Sequence, residues 1–569
     1  MSNSNHLMKR THYCGTLREA HIGSEVAVSG WVSRQRDLGG LIFIDLRDRT
    51  GIVQCVFDES VDKALFDQAF SIRAEFVLGV RGTVRSRGEK GKNPKLPTGM
   101  VEILVSELIV YARSETPPFE IVDDTNVNDE LRLKYRYLDL RRPTMQNTIA
   151  LRHRVGQIAR NYFDEQGFLV MDEARWFEST KEAMEQLDSL IKRDRNRPSV
   201  IMWSTSNEEP FHITDTGKRL HKAIAAHIRK LDYTRPITAA EDRTPDKSTI
   251  YDECDAVGIN YNLGIYDAVH KMRPDKPIFA SECCATGTTR DWNFDTAVSG
   301  RIRDKDRDTN DWFLGREKTY KFLRERSYVF GCYQWAAVEH RGEAAWPRVC
   351  SCSGALDLFL QKKGAFYQNK SHWSAEPMAH IVPHWNFKGL AGKEIPVTVY
   401  TNCEELELFL NGKTLGKQQI EKYGHGEWSV EYIPGTLEVK GYIGGNEVCG
   451  DKRVTTGRPA ALKLTQDNDF TANGSDIALF TCECVDENGL TVPDAAEYVR
   501  FSVSAPAKII GTGSDNCDHN NVANTERKMY MGKIRVAVKP KKGQESFTLT
   551  AMSDNCGVCE KTVSLCAEN

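Results

Sequence analysis

Between Tyr162 and Ser179 the chain reads YFDEQGFLVMDEARWFES, and its hydrophobic pattern changes there. Upstream, short strands alternate with turn signals, the pattern of a small antiparallel β domain. Downstream, apolar β-rich runs recur with helical stretches between them, as β/α units around a buried parallel sheet require. The two patterns demand different folds. The stretch is therefore either a crossover inside one domain or a seam between two unrelated ones.

The 569 residues, 40% of them apolar, suffice for three to five domains with separate cores. A net charge of −3 gives no strongly basic face that would announce nucleic acid along the whole molecule. The stretch MSNSNHLMKRTHYCGTLREAHIG lacks the apolar centre of a signal peptide, and no apolar run is long enough to span a bilayer. These features predict a cytoplasmic protein with no membrane partner. The 16 cysteines are scattered, and the tight pair Cys556 and Cys559 has no second pair at zinc spacing. Reduced structural thiols are the expectation, and no metal site.

Residues 1–115 read as an OB-type β-barrel. Strands are predicted at EVAVSGWVSRQ, GGLIFIDLRD, GIVQCVFD, EFVLGVRGTVRSR and GMVEILVSELIVYA, with a helix at ESVDKALFDQAFSI. Phe43 can stack on an unpaired base, Gln54 can bond a base edge, and Arg36, Arg85 and Arg87 can meet phosphates. Composition alone leaves another reading open, with Phe43 in the core and the arginines on a solvated face. GWVSRQRDLGGLIFIDLRDRTGIVQCVFD resembles the anticodon-binding domain of bacterial aspartyl-tRNA synthetases. DELRLKYRYLDLRRPTMQNTIALRHRVGQIARNYFDEQGFL, which runs to Leu169, is similar to that family's hinge and first class II helix, assigned to residues 116–167. The resemblance implies that Arg36, Phe43 and Gln54 read an anticodon, with tRNA as the partner. It ends after about 170 residues, before the ATP-binding motifs of that family, which argues against aminoacylation.

Residues 168–365 read as part of a (β/α)8 barrel, with strands at FLVMDE, SVIMWSTS, PITAAED, CDAVGINY, PIFASE and YVFGCYQW. Catalytic groups of such barrels sit just past the C-terminal strand ends. Glu173, Asn207, Glu208, Asn260, Tyr261, Glu282 and Trp335 fall there. Glu208 and Glu282 could form the carboxyl pair of a retaining glycosidase, and Trp335 a floor for a sugar ring; ordinary rim glutamates are the alternative. NRPSVIMWSTSNEEP, GINYN, PIFASECCAT and GCYQWAAVEHRGEAAWPRV resemble family 2 glycoside hydrolases, the β-galactosidase and β-glucuronidase group. The resemblance implies a β-glycoside substrate, Glu208 as acid/base and Glu282 as nucleophile. It further implies that Asn207 holds the sugar 2-hydroxyl and that Tyr261 bonds the nucleophile. Glu173 matches a position that binds magnesium in one branch, with a structural or sugar-contacting role as the alternative; no other cofactor is implied. Glu339-His340 departs from the Asp-Tyr of many relatives, which bears on substrate identity.

A linker over 366–380 is predicted to lead to two immunoglobulin-like β-sandwiches, 381–456 and 457–569, with a hairpin turn at Asn411-Gly412. Both sandwiches resemble accessory domains of the same hydrolases. Six barrel strands are counted, beginning at what would be the third, so an open sheet and low or no turnover are expected. Leu151, Val155, Ile158, Ala159, Tyr162 and Phe163 form a helical stripe capped by Gly167, suited to stand in for a crossover helix. Three readings follow: a sugar hydrolase, a tRNA-binding module without ligase activity, and a non-functional fusion produced by recombination or misassembly. The seam is placed near DEQGFLV, and the chemistry written in the chain is mostly the hydrolase's.

Overall fold

The computed structural model describes residues 8–94, 96–242, 246–293 and 300–565. The terminal segments 1–7 and 566–569 of the first and last predicted domains lie outside the described residues. The chain divides into two compact units, Met1–Gln166 and Gly167–Asn569.

In the first unit β1 (Glu25–Asp37), β2 (Leu41–Asp48), β3 (Gly51–Asp58), β4 (Val77–Ser86) and β5 (Val101–Ala112) close into a barrel in the order β1-β2-β3-β5-β4. Helix α1 (Lys63–Phe70) is inserted between β3 and β4, and Asp62 caps it by accepting a bond from the Leu65 amide. Strict alternation places Val28, Ile42, Ile44, Leu46, Val53, Leu78, Val80 and Ile103 in the interior. Each such side chain contributes about 1.5–3 kcal/mol by leaving water. Phe43, whose neighbours Ile42 and Ile44 point inward, lies half-buried on the outer face and not in the core. Arg87 is buried, and its Nε donates to the Val101 carbonyl at 3.0 Å. It is therefore part of the barrel's own bonding, not a free phosphate contact.

Short helices α2 (Asp129–Lys134) and α3 (Arg136–Asp139) precede α4 (Pro143–Glu165). Proline opens α4 at its first turn, and Gly167, at φ +70°, lies just past its end, where a left-handed residue costs glycine least. The stripe of Leu151, Val155, Ile158, Tyr162 and Phe163 is exposed, and α4 buries none of its residues. The coverage that its periodicity suggests is not what the structure has.

The second unit begins with β6 (Val170–Glu173), β7 (Val200–Asn207), β8 (Ile237–Glu241), β9 (Val257–Asn260), β10 (Ile278–Cys283) and β11 (Val329–Gln334). They form a parallel six-stranded sheet in chain order, with β6 and β11 at its edges among the described residues. Helices α5 (Lys181–Asp194), α6 (Asp215–Leu231), α7 (Tyr266–Met272) and α8 (Arg316–Arg324) pack on one face through Leu187, Ile191, Ile224, Ile228, Val269 and Leu323. Thr214 caps α6 by accepting from the Gly217 amide, and a Cβ at 217 would lie 1.9 Å from the Phe211 carbonyl oxygen. On the other face Met171, Met202, Phe279 and Tyr333 form a smaller apolar cluster. The segment predicted as a linker instead holds most of α9 (Gly364–Trp373), with Gln368, Asn369 and His372 buried. Its polar residues are structural; Tyr320, for example, donates to Asn369.

The third sheet contains β12 (Ala379–Val382), β13 (Glu394–Thr401) and β16 (His425–Glu431). It shares a core with β14 (Glu405–Leu410), β15 (Lys413–Gln419), β17 (Thr436–Ile443) and β18 (Asn446–Val454). Asn411 (φ +51°) and Gly412 (φ +79°) join β14 to β15, both left-handed as a twisted two-residue hairpin needs. Strands between Ala461 and Ser564 form two further four-stranded antiparallel sheets around Phe480, Val536, Phe547 and Leu549.

Candidate active site and nucleic-acid face

The parallel sheet sets the site. Asn207 ends β7, Asn260 ends β9, Glu282 lies at the end of β10, and Trp335 directly follows β11. Asn207, Glu208, Tyr261, Glu282 and Trp335 line one cavity of about 390 Å³, together with Asp242, Trp312, Phe313, Glu343 and Ser351–Ser353. Parallel register explains the convergence: every strand delivers its C-terminal end to the same rim, however far apart the residues are in sequence.

Glu208 takes a left-handed backbone (φ +53°), and its amide donates to the Ala240 carbonyl at 3.0 Å. Asn260 Nδ2 donates to Glu208 Oε1 at 2.8 Å and to Asn207 Oδ1 at 3.0 Å. Ser281 Oγ donates to Asn260 Oδ1 at 2.6 Å. Tyr261, also left-handed (φ +58°), donates Oη to Glu282 Oε2 at 2.6 Å, while its amide bonds the Glu282 carbonyl. Burial raises the Glu282 carboxyl to about 7; the Tyr261 bond pulls it down, and the negative charge of Glu208 adds to the rise. The Tyr261 hydroxyl is held well above its ordinary range by burial and by the adjacent Glu282.

Trp335 Nε1 donates to Glu343 Oε2 at 3.2 Å, which fixes the indole at the cavity wall. Phe313 packs edge-on against Tyr261 with ring centres 4.7 Å apart. Sequence patterns did not single out Trp312, Phe313, Asp242 or the Ser351–Ser353 segment, because these come from irregular connections with no periodicity to read. Glu339, in contrast, is not among the residues that line the cavity. It is buried against Lys363 Nζ at 2.7 Å and takes a contact from Cys350 Sγ. His340 beside it lies against two cavity residues, its ring 5.6 Å from that of Trp335 and its Nε2 3.5 Å from Glu343 Oε2.

Glu173 accepts a bond from Ser204 Oγ at 2.8 Å, and burial raises its carboxyl. No group of three or more His, Cys, Asp or Glu side chains suited to a metal occurs among the described residues.

On the barrel of the first unit, Arg36 pairs with Phe43, Asp45 with Gln54, and Gln54 with Glu102 across neighbouring strands. Arg36 Nη2 reaches Asp45 at 3.0 Å and Gln54 Oε1 at 3.2 Å, and its guanidinium lies 5.8 Å from the Phe43 ring centre. Gln54 Nε2 donates to Glu102 at 2.9 Å, which also takes Arg85 Nε at 2.9 Å. The result is one polar strip beside an aromatic ring, in which Gln54 is buried with both ends of its side-chain amide bonded.

Known proteins match the chain in separate segments, and the barrel match begins within α4 of the first unit. "OB-fold nucleic acid binding domain" matches residues 26–111, and "Glycosyl hydrolases family 2, TIM barrel domain" matches 147–286. A domain of unknown function (DUF4982) matches 392–449, and "Glycoside hydrolase family 2 C-terminal domain 5" matches 462–562. An aspartate–tRNA ligase of Listeria monocytogenes is 55% identical over 174 residues, covering 31% of this chain and 29% of that protein. One from Ruminiclostridium cellulolyticum is 50% identical over 182 residues, covering 32% and 30%. This chain thus spans less than a third of the curated relatives it matches. A family 2 glycosyl hydrolase structure from Bacteroides cellulosilyticus is 30% identical with a TM-score of 0.61, covering 71% of this chain and 55% of that one. A β-glycosidase from Bacteroides vulgatus, 19% identical with a TM-score of 0.64, shares the fold over 94% of this chain and 79% of its own. No helix among the described residues is long and apolar enough to cross a membrane. The chain joins an OB-fold domain that matches aspartate–tRNA ligases to a barrel domain and a last C-terminal domain that match those of glycoside hydrolase family 2.

Proposed function

We propose that the second unit hydrolyses β-glycosides with retention, Glu282 attacking the anomeric carbon and Glu208 protonating the leaving oxygen. The observation that carries this reading is that Glu208 and Glu282, from different strands, face one cavity with Tyr261 bonded to Glu282. In the first step Glu282 must be ionised; the hydroxyl of Tyr261 steadies its charge until it forms the glycosyl ester. Glu208 gives its proton to the departing oxygen, then as carboxylate takes one from the water that cleaves the ester. Asn207 at the rim is suited to hold the 2-hydroxyl, and Trp335 to pack on the sugar face. Cytoplasmic action on a β-galactoside-type substrate belongs to the same proposal.

Turnover is slow in this reading, because β6 and β11 leave two open sheet edges beside the rim and less of the pocket is enclosed. The test is release of nitrophenol from nitrophenyl β-galactoside, β-glucoside and β-glucuronide by the purified full chain. The expectation is kcat below about 1 s⁻¹, under the common enzyme range, and abolished in Glu282→Gln. No release from any of the three by folded protein overturns the reading; a kcat of about 10 s⁻¹ or more overturns the impairment.

A second activity is proposed for the first unit: tRNA binding through Arg36, Phe43 and Gln54, without aminoacylation. The half-buried placement of Phe43 on the outer face, with the Arg36 guanidinium 5.8 Å from its ring centre, supports it. A gel shift with aspartate tRNA, set against a tRNA of unrelated anticodon, tests it; equal mobility of both would refute it.

A further inference from the structure

Asn260 is fully buried at the end of β9, yet its side chain serves two other strands. Strand β9 neighbours β8 and β10, while Glu208 follows β7, two places away. The amide reaches past β8, where the small Ala239 and Ala240 precede the last residue, Glu241, whose carboxyl is engaged by His212 Nδ1 at 3.0 Å. Its Nδ2 bonds both Glu208 Oε1 and Asn207 Oδ1, and its Oδ1 accepts from Ser281, the residue before Glu282. The orientation of this amide is determined by chemistry. Turned over, it would lose both N–H bonds, to Glu208 Oε1 and to Asn207 Oδ1, and set its oxygen against the Asn207 amide oxygen.

Glu208 has a left-handed backbone, which a residue bearing a Cβ seldom adopts, and its carboxyl is held by a side chain from another strand. We propose that Asn260 is a positioning residue that aims the Glu208 carboxyl in the plane of the leaving oxygen and, through Ser281, ties it to the strand that carries Glu282. The proposal rests on the hydrolase reading of Glu208 as proton donor. Asn207 is held by the same amide, so the group that meets the 2-hydroxyl and the proton donor share one anchor.

The experiment uses binding, so it does not depend on turnover. The full chain is titrated calorimetrically with two galacto-configured inhibitors. One is an imidazole-fused sugar, whose ring nitrogen takes a hydrogen bond in the plane of the sugar from the acid/base carboxyl. The other is an isofagomine-type iminosugar, whose cationic nitrogen sits against the nucleophile. Asn260→Ala is expected to weaken the imidazole about tenfold or more while changing the iminosugar less than about threefold, as loss of the bond that holds the Glu208 carboxyl implies. Equal weakening of both would mark Asn260 as structural and overturn the proposal, as would no change in either. If Asn260→Ala fails to fold by circular dichroism, Asn260→Asp keeps the volume, sets a second carboxyl against Glu208, and is held to the same criterion. Failure of the parent chain to bind either inhibitor would remove the hydrolase reading itself; binding of both without discrimination by the variants would remove only the role of Asn260.

Discussion

Tyr261 Oη donates to Glu282 Oε2 at 2.6 Å, and this bond opposes a burial that otherwise pushes Glu282 toward neutrality. Glu282 attacks as a carboxylate and stands near pH 7, so kcat/KM should climb with pH along a limb centred at about 7. Tyr261→Phe removes the influence that lowers Glu282, and the limb should shift alkaline by about one pH unit. An unmoved limb in the variant would detach Glu282 from it.

Glu208→Ala should slow release of unactivated phenols by about 10²–10⁴ and barely affect formation of the glycosyl ester from dinitrophenyl glycosides, whose leaving group needs no proton. Azide should then restore turnover by replacing the activated water and give a β-glycosyl azide, identified by NMR. An α product would contradict retention.

Lys363 and Glu339 form an ion pair with both side chains fully buried. Lys363→Met leaves Glu339 buried without its cation and should cost about 3–5 kcal/mol in urea unfolding. Burial already raises Glu339 while Lys363 lowers it, so the variant's carboxyl is raised further above its unfolded value. A raised group favours the fold most below its unfolded pKa and loses that contribution as pH rises. The deficit should therefore shrink on acidification toward pH 5.

Gly441 on β17 admits two thiols. A Cβ there would lie 2.7 Å from Cys403 Sγ and 2.8 Å from Cys449 Sγ, which are themselves 3.3 Å apart. Gly441→Ala should destabilise this sandwich by about 1–3 kcal/mol, read as a lower Tm. Gly444, around which nothing lies within 4 Å, is not a fair control because its φ is +57°. Gly331, with open space and no such φ, is.

In the first unit, Phe43→Ala should weaken tRNA binding about tenfold by loss of a stacking platform. Arg36→Ala should weaken it by a similar factor and flatten the salt dependence if the guanidinium meets a phosphate. Filter binding across a salt series separates the two; unchanged affinity in both variants would exclude the strip.

Much of this molecule was legible before any coordinates. Strict alternation in LIFIDLRD, apolar runs such as VIMWSTSN, the helical spacing of α5 and α6, and Asn411-Gly412 are local signals, and each is a local structure here. Strand-end position also marked Asn207, Glu208, Tyr261, Glu282 and Trp335, because a parallel sheet sends all its C-terminal ends to one rim. What periodicity states is which face a residue occupies, not what meets it there. The sequence could not say that Asn260 crosses a strand to Glu208, that Glu339 is sealed against Lys363, that Arg87 is buried, or that the stripe of α4 stays exposed. Those outcomes depend on groups distant in the chain, and only packing in three dimensions brings a carboxyl to its partner or leaves an apolar face without one.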